Sequence, residues 1–180
     1  MSTTLVPTVW KIDPSHSQIQ FAVKHMMFST VRGNFRTFEG QIETHGDPRQ
    51  GTVTFSIDGN SVDTGDAKRN EHLRSQDFFE SAGHPNITFV STKVEPGRGD
   101  HFKVYGDLTI RGITNPVVLD AEYHGSSANP WGKTVAGYSA TTTINREDWG
   151  VNWNAALEGG GVLVSKDVKL SLEVEVVQQD

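Results

Sequence analysis

The chain has 180 residues, of which 35% are hydrophobic and 21% charged, and its formal net charge is −6. This length and composition suit one globular domain over residues 1–180, since no shift in composition marks a second one. The acidic balance and scattered Lys and Arg residues exclude the basic footprint of a nucleic-acid-binding protein. The lack of cysteine excludes disulfides, thiolate nucleophiles and cysteine-based metal sites.

The N-terminal stretch MSTTLVPTVWKID has no basic segment followed by an apolar run, which is the pattern of a signal peptide. No segment has the roughly 18 consecutive apolar residues of a bilayer-spanning helix. The sequence as written therefore predicts a cytoplasmic protein, or a secreted one if a leader has been removed. It gives no indication of a membrane partner.

Alternation of apolar and polar residues predicts the first strand, over residues 18–26, directly after DPSHS. Ile19, Phe21 and Val23 share one face of this strand, and His25 falls in phase with them. The segment GNFRTFEGQIETH predicts a second strand with a bulge, because its inner phenylalanines stand three positions apart. The segment GTVTFSIDG has the most regular alternation and predicts a third strand.

The segment DTGDAKRNEHLRSQDFFES lacks this alternation and predicts a short helix capped by Asp66. Further strands are predicted in NITFVSTKV, HFKVYGDLTI, VVLDAEYHG, TVAGYSATTTI and DVKLSLEVEVV, with a hairpin turn at Arg111 and Gly112. Before the last of them, NREDWGVNWNAALEGGG predicts a helical turn capped by Asn145. The pattern predicts an all-β fold of about eight strands. We favour a closed antiparallel barrel over a sandwich because closure removes the sheet edges.

The interior of such a barrel is either solid or hollow. The inventory of inward Phe, Val, Ile and Leu residues by itself favours solid packing, since protein interiors normally reach crystal-like density. A hollow barrel would favour chain-like ligands, because each buried methylene contributes about 0.8 kcal/mol. Cavity volume separates the two alternatives.

The chemistry-bearing residues form no known catalytic or metal motif. The seven histidines have no metal-ligand spacing, and no nucleophile elbow, P-loop or dinucleotide fingerprint is present. We therefore assign no catalytic residue, no metal site and no cofactor. His25 has two interpretations: a hydrogen-bonded structural imidazole, or a contact to the polar head of a ligand at a cavity mouth. An enzyme that uses His25 with Asp13 or His16 as an acid/base pair on a lipid or quinone is a further alternative.

Several motifs in fixed order resemble one family over nearly the whole chain, from Trp10 to Val177. They are WKIDPSHSQIQFAVKHMMFSTVRGNFRTFEGQI, VDTGDAKRNEHLRSQDFFES, HPNITFVS, VYGDLTIRGITNPVVL and INREDWGVN. These segments resemble the YceI-like family of lipocalin-like, polyisoprenoid-binding proteins. The resemblance implies an extended eight-stranded antiparallel lipocalin-like β-barrel with short helical insertions, a core over residues 10–177 and a deep apolar cavity. It also implies a homodimer, and it reverses the expectation of a solid interior.

The combined expectation is a non-enzymatic protein that carries or sequesters a long-chain isoprenoid-type or fatty acyl amphiphile, such as a polyisoprenoid or a quinone-like lipid. A stress-associated interaction module with a filled core remains the alternative without a cavity. The predicted ligand-binding residues, chosen by alternation and by position at the mouth, are Phe21, Val23, His25, Arg32, Phe35, Phe38, Phe55, Ile57, Phe89, Val104 and Leu108.

Overall fold

Strands joined by short turns make up most of the computed structural model, which describes residues 6–180. The described strands are β1 (Thr8–Ile12), β2 (Gln18–His25), β3 (Ser29–Phe35), β4 (Phe38–Thr44), β5 (Gly51–Asp58), β6 (Val62–Asp63), β7 (Asn86–Pro96), β8 (His101–Ile110), β9 (Ile113–Ala128), β10 (Thr134–Asn145) and β11 (Val164–Gln178). One α-helix, α1 (Ala67–Arg74), and 3-10 turns at Pro14–His16, Gly59–Ser61 and Arg146–Trp149 join them. Within residues 6–180, no helix has the length and hydrophobicity needed to cross a membrane.

Eight strands form a closed ring in the order β1, β4, β5, β7, β8, β9, β10, β11, and β11 pairs with β1 to complete it. All neighbours in the ring are antiparallel. The predicted all-β fold, an eight-stranded antiparallel barrel with short helical insertions, is therefore confirmed. We call the end with the β2–β3 and β8–β9 turns the upper end, and the end with the β9–β10 turn the lower end.

Two of the barrel strands are broken in the middle. The turn at Pro14–His16 separates β1 from β2, which continues upward between β11 and β3. In the same way Arg36 and Thr37 separate β3 from β4. The bulge predicted here is thus a break between two strands, and it lets Phe35 and Phe38 both face inward with 7% of each side chain exposed.

Strand β1 was not predicted from the sequence, which placed the first strand after DPSHS. This strand has five residues, and its alternation is too short to be distinctive. Its pairing is what identifies it: Trp10 lies opposite Ile42 of β4 and opposite Gln178 of β11. The ring closes through β1 because it bonds to a strand on each side.

The predicted caps and the predicted hairpin are present. The Asp66 carboxylate accepts the backbone N–H of Arg69 at 3.0 Å and begins α1. The Asn145 side chain accepts the backbone N–H of Glu147 at 3.0 Å and begins the turn at Arg146–Trp149. At the β8–β9 hairpin, Arg111 and Gly112 have φ values of 54° and 72°, as a two-residue hairpin turn with two left-handed positions requires. The sequence therefore correctly predicts where α1 begins, where the turn at Arg146–Trp149 begins and where the β8–β9 hairpin turns.

The core follows the alternation of the strands. On β8 the even-numbered side chains from Phe102 to Ile110 are buried while their neighbours face outward or lie half-buried. Gly106 belongs to this buried row, and a Cβ at that position would clash with the Phe89 ring. The ring of Phe89, which is 1% exposed, therefore packs directly on the backbone of β8.

Candidate functional site

The upper half of the barrel contains an apolar cavity. Side chains from β2, β3, β5, β7, β8, β9, β10 and β11 line it, together with residues from α1 and from the segments after α1 and after β10. The cavity has a volume of about 120 Å³. Its accessible wall consists of apolar atoms only.

The structure brings most of the predicted ligand-binding residues to this wall. Those that line the cavity are Phe21, Val23, Phe35, Phe55, Ile57, Phe89 and Leu108. Two other predicted residues lie off the wall: Phe38 borders a separate polar depression beside His16, and Val104 is packed in the core with 3% exposed. Contact between a ligand and any of these side chains stays a prediction.

The two predicted head-group residues also lie off the cavity wall. His25 ends β2 at the upper end, where it pairs with Ser29 and with Val164. Arg32 is exposed and lies opposite Ala22, on the outer face of the barrel. Neither residue lines the cavity, so a polar contact with either side chain would lie outside the apolar space.

The acid/base pair considered from the sequence is not assembled. His25 stands at the upper end of β2, whereas Asp13 and His16 precede its lower end. An eight-residue strand spans about 25 Å at a rise of about 3.3 Å per residue. Asp13 Oδ2 and His16 Nδ1 instead lie 2.8 Å from each other. No proton can pass directly between His25 and either of them.

The Asp13–His16 pair forms a small polar cluster with Glu175 at the corner between β1 and β2. One oxygen or nitrogen atom from each of the three side chains lies within 4.8 Å of the other two. The sequence did not indicate that Glu175, far away in the chain, joins this group. The hydrogen bond that the His16 imidazole donates to the Asp13 carboxylate, aided by the negative charges of Asp13 and Glu175, raises the pKa of His16. Hydrogen bonds from Ser15 and then His16 lower the pKa of Asp13. The Asp13–His16 contact lies within one turn, and the backbone N–H of Asp13 joins that turn to β11 by donating to the Glu175 carbonyl at 2.8 Å.

Arg146 lies on the cavity wall although it belongs to the turn that Asn145 caps and not to a strand. The structure buries it to 5% exposure. Its guanidinium donates to the backbone carbonyls of Ser165 at 2.9 Å, Val151 at 2.7 Å and Val164 at 3.3 Å. Burial lowers the pKa of Arg146, and the nearby charge of Glu147 partly opposes this effect. Arg146 therefore joins the turn after β10 to the start of β11.

Aromatic side chains cover the upper end of the cavity. Trp153 packs edge-on against His72 of α1 with ring centroids 4.7 Å apart, and Phe78 lies 5.6 Å from Trp153. Trp149, which is 2% exposed, donates its indole N–H to the carbonyl of Leu108 at 2.9 Å. The segments outside the barrel thus act as its cover.

A closed antiparallel barrel with an apolar cavity is the architecture of lipocalin-like barrel proteins. Residues 10–176 match the family model of the YceI-like domain, and the chain belongs to that family. A UPF0312 protein of Staphylococcus epidermidis is 41% identical over 172 residues, which cover 93% of this chain and 96% of that protein.

Two solved structures have the same fold. BcnA of Burkholderia cenocepacia superposes with a TM-score of 0.79 at 24% identity, covering 91% of this chain and 98% of that chain. A polyisoprenoid binding domain from Saccharophagus degradans superposes with a TM-score of 0.69 at 18% identity, covering 94% and 98% of the two chains. At these identities the two matches establish the fold.

Proposed function

We propose that this protein binds a long-chain isoprenoid-type or fatty acyl amphiphile in the barrel cavity and carries or sequesters it without catalysing a reaction. The apolar wall of the cavity is the observation that carries this proposal, because a wall without accessible polar atoms favours a hydrocarbon tail. The fold shared with a polyisoprenoid binding domain from Saccharophagus degradans agrees with it. A quinone-like lipid belongs to the same ligand class.

The energetics favour a long tail. Burial contributes about 0.8 kcal/mol for each methylene, so a five-carbon isoprene unit contributes about 4 kcal/mol before the cost of association. Association itself costs about 4 to 15 kcal/mol in lost freedom. Several isoprene units or a long acyl chain are therefore needed for useful affinity, which argues against short hydrophobic metabolites as ligands.

The proposed ligand contacts follow from the wall. The tail lies against the seven predicted side chains that line the cavity, from Phe21 to Leu108, while Phe38 and Val104 support the barrel away from it. The polar head lies outside the apolar space at the upper end, closest to His25, with Arg32 contributing positive charge from the outer face. We also propose a homodimer on the family resemblance, which light scattering of the purified protein tests.

The test compares two neighbouring residues of β2 that face opposite ways. Val23→Phe fills part of the cavity, and Lys24→Ala removes an exposed side chain. We expect mass spectrometry of organic extracts to find a long-chain amphiphile in the wild-type protein and in Lys24→Ala, and much less in Val23→Phe. Calorimetric titration with geranylgeraniol should rank the three proteins in the same order. Equal binding by all three proteins, or none by the wild type, would contradict the proposal.

A further inference from the structure

The tip of the β2–β3 hairpin has an unusual backbone for its sequence. The central residues Met26 and Met27 have φ values of 51° and 66°, and the Phe28 N–H donates to the His25 carbonyl at 3.0 Å. Positive φ at both central residues of a four-residue turn is typical of the type I′ geometry, for which Asn-Gly is the preferred sequence. The left-handed region is unfavourable for a side chain such as methionine. A function that requires apolar side chains at this turn would explain why methionines occupy these two positions.

The same turn exposes three consecutive apolar side chains, which we call the hairpin tip (residues 26–28). Phe28 is 85% exposed, Met27 64% and Met26 38%. An isolated exposed apolar residue needs no explanation, whereas a contiguous group of large ones marks an interaction site. The backbone strain and the exposure therefore point independently to an external partner.

The β2–β3 hairpin is positively charged, whereas the whole chain is acidic. Beside it, Lys166 and Asp167 at the start of β11 have opposite charges. The chain has 22 acidic residues and a net charge of −6, but residues 14–38 contain no Asp or Glu. Lys24 and Arg32 are exposed on the outer face of the hairpin. Glu158 is the acidic residue of the neighbouring segment 154–163, which reaches the tip through a bond from the Met26 N–H to the Leu163 carbonyl at 2.8 Å. A negatively charged partner suits this surface.

The size and shape of the tip indicate what that partner is. Three large side chains bury roughly 150–250 Å² each, less in total than the about 800 Å² that each side of a stable protein interface buries. A convex apolar point with cations behind it is instead the arrangement that binds an anionic bilayer, where apolar groups enter the acyl boundary and Lys or Arg meet the head groups. Met and Phe side chains suit such a fluid environment.

We propose that the hairpin tip inserts into the surface of an anionic phospholipid bilayer and docks the upper end of the barrel there. This surface activity does not depend on a ligand in the cavity. It also places the covered end of the cavity next to the membrane, since Val23 on the wall lies only three residues before Met26.

The first test is flotation of the purified chain with vesicles of phosphatidylglycerol and phosphatidylcholine, and with vesicles of phosphatidylcholine alone. We expect binding to the anionic vesicles that weakens with added salt. Met26→Asn/Met27→Gly should reduce it by about tenfold or more, while raising the melting temperature, because Asn-Gly suits the turn. A merely structural role for the methionines predicts a lower melting temperature instead.

Two further variants complete the test. Phe28→Ser leaves the turn residues unchanged and should also reduce vesicle binding by about tenfold. Trp131→Ser removes an 81% exposed aromatic side chain at the lower end and should leave binding unchanged. Absence of binding by the wild type, equal loss in Trp131→Ser, or a change in oligomeric state without a change in vesicle binding would overturn the proposal. Geranylgeraniol binding by all variants checks the cavity separately.

Discussion

His16 is an exposed side chain whose pKa is changed by its contact with Asp13. Its imidazolium is stabilised first by the hydrogen bond to Asp13 and then by the charges of Asp13 and Glu175, so the pKa of His16 lies above the ordinary value for histidine. A folded-state pKa that is raised contributes stability below the unfolded value and loses it as the pH rises through the folded value. The Asp13–His16 contact therefore stabilises the turn between β1 and β2 below the ordinary pKa of histidine, and this stabilisation is lost as the pH rises through the raised pKa of His16.

Asp13→Asn should lower the pKa of His16 toward its ordinary value, because it removes the carboxylate whose hydrogen bond and charge raise that pKa. Proton NMR titration of the imidazole measures this shift. Glu175→Gln is the matched control and should lower the pKa by less, since Glu175 acts only through its charge at a distance. An unchanged His16 titration in Asp13→Asn would show that the 2.8 Å contact does not hold the proton.

Arg146 stabilises the cavity wall through backbone carbonyls. In the described part of the chain its guanidinium donates to three of them and forms no hydrogen bond with a carboxylate. Arg146→Met keeps the length of the side chain but leaves these carbonyls unpaired, at a cost of about 1 to 3 kcal/mol for each buried group. We expect a loss of at least about 2 kcal/mol in the free energy of unfolding, measured with urea.

Arg36→Met is the control for Arg146. The side chain of Arg36 is 71% exposed and pairs with Asp63 at 2.7 Å, so its loss should cost no more than about 1 kcal/mol. If the two substitutions cost the same, the buried carbonyl contacts of Arg146 contribute little and the turn after β10 is held by packing alone.

At the level of elements, local signals predict local structure. The Asp66 and Asn145 caps, the Arg111–Gly112 turn and the alternating strands are each determined by a few neighbouring residues. Strand β1 is determined instead by its pairing with β4 and β11, which lie far away in the chain. The break between Phe35 and Phe38 is similar, because the periodicity shows a change of phase but not whether a bulge or a break produces it.

The residues of the candidate site also fall into two groups, those that the local sequence pattern identifies and those that it does not. Alternation identified wall residues such as Phe21 and Phe89, because period two alone decides which face is inward. It does not give height along the barrel, so Val104 was included although it lies off the wall. Arg146 was not among the predicted wall residues, because its burial depends on carbonyls of segments that follow it in the sequence.

The whole molecule is a barrel that is hollow in its upper half, and this has a thermodynamic cost. At about 24 cal/mol for each Å³, a cavity of about 120 Å³ forgoes on the order of 3 kcal/mol of packing energy. The wall atoms lack partners across the gap, which a filled interior would supply. A ligand that binds only the folded protein recovers stability by mass action, about 2.7 kcal/mol at one hundred times its dissociation constant.

The same enlargement at two valines distinguishes the hollow part of the barrel from the solid part. In delipidated protein, Val23→Phe should leave the free energy of unfolding unchanged or raise it, because the added ring enters existing space. Val104→Phe should lower it by about 1 to 3 kcal/mol, because Val104 is 3% exposed in close-packed surroundings. Urea unfolding measures both. Equal destabilisation by the two substitutions would mean that the barrel is filled around Val23, and the binding function proposed for the cavity would fail with it.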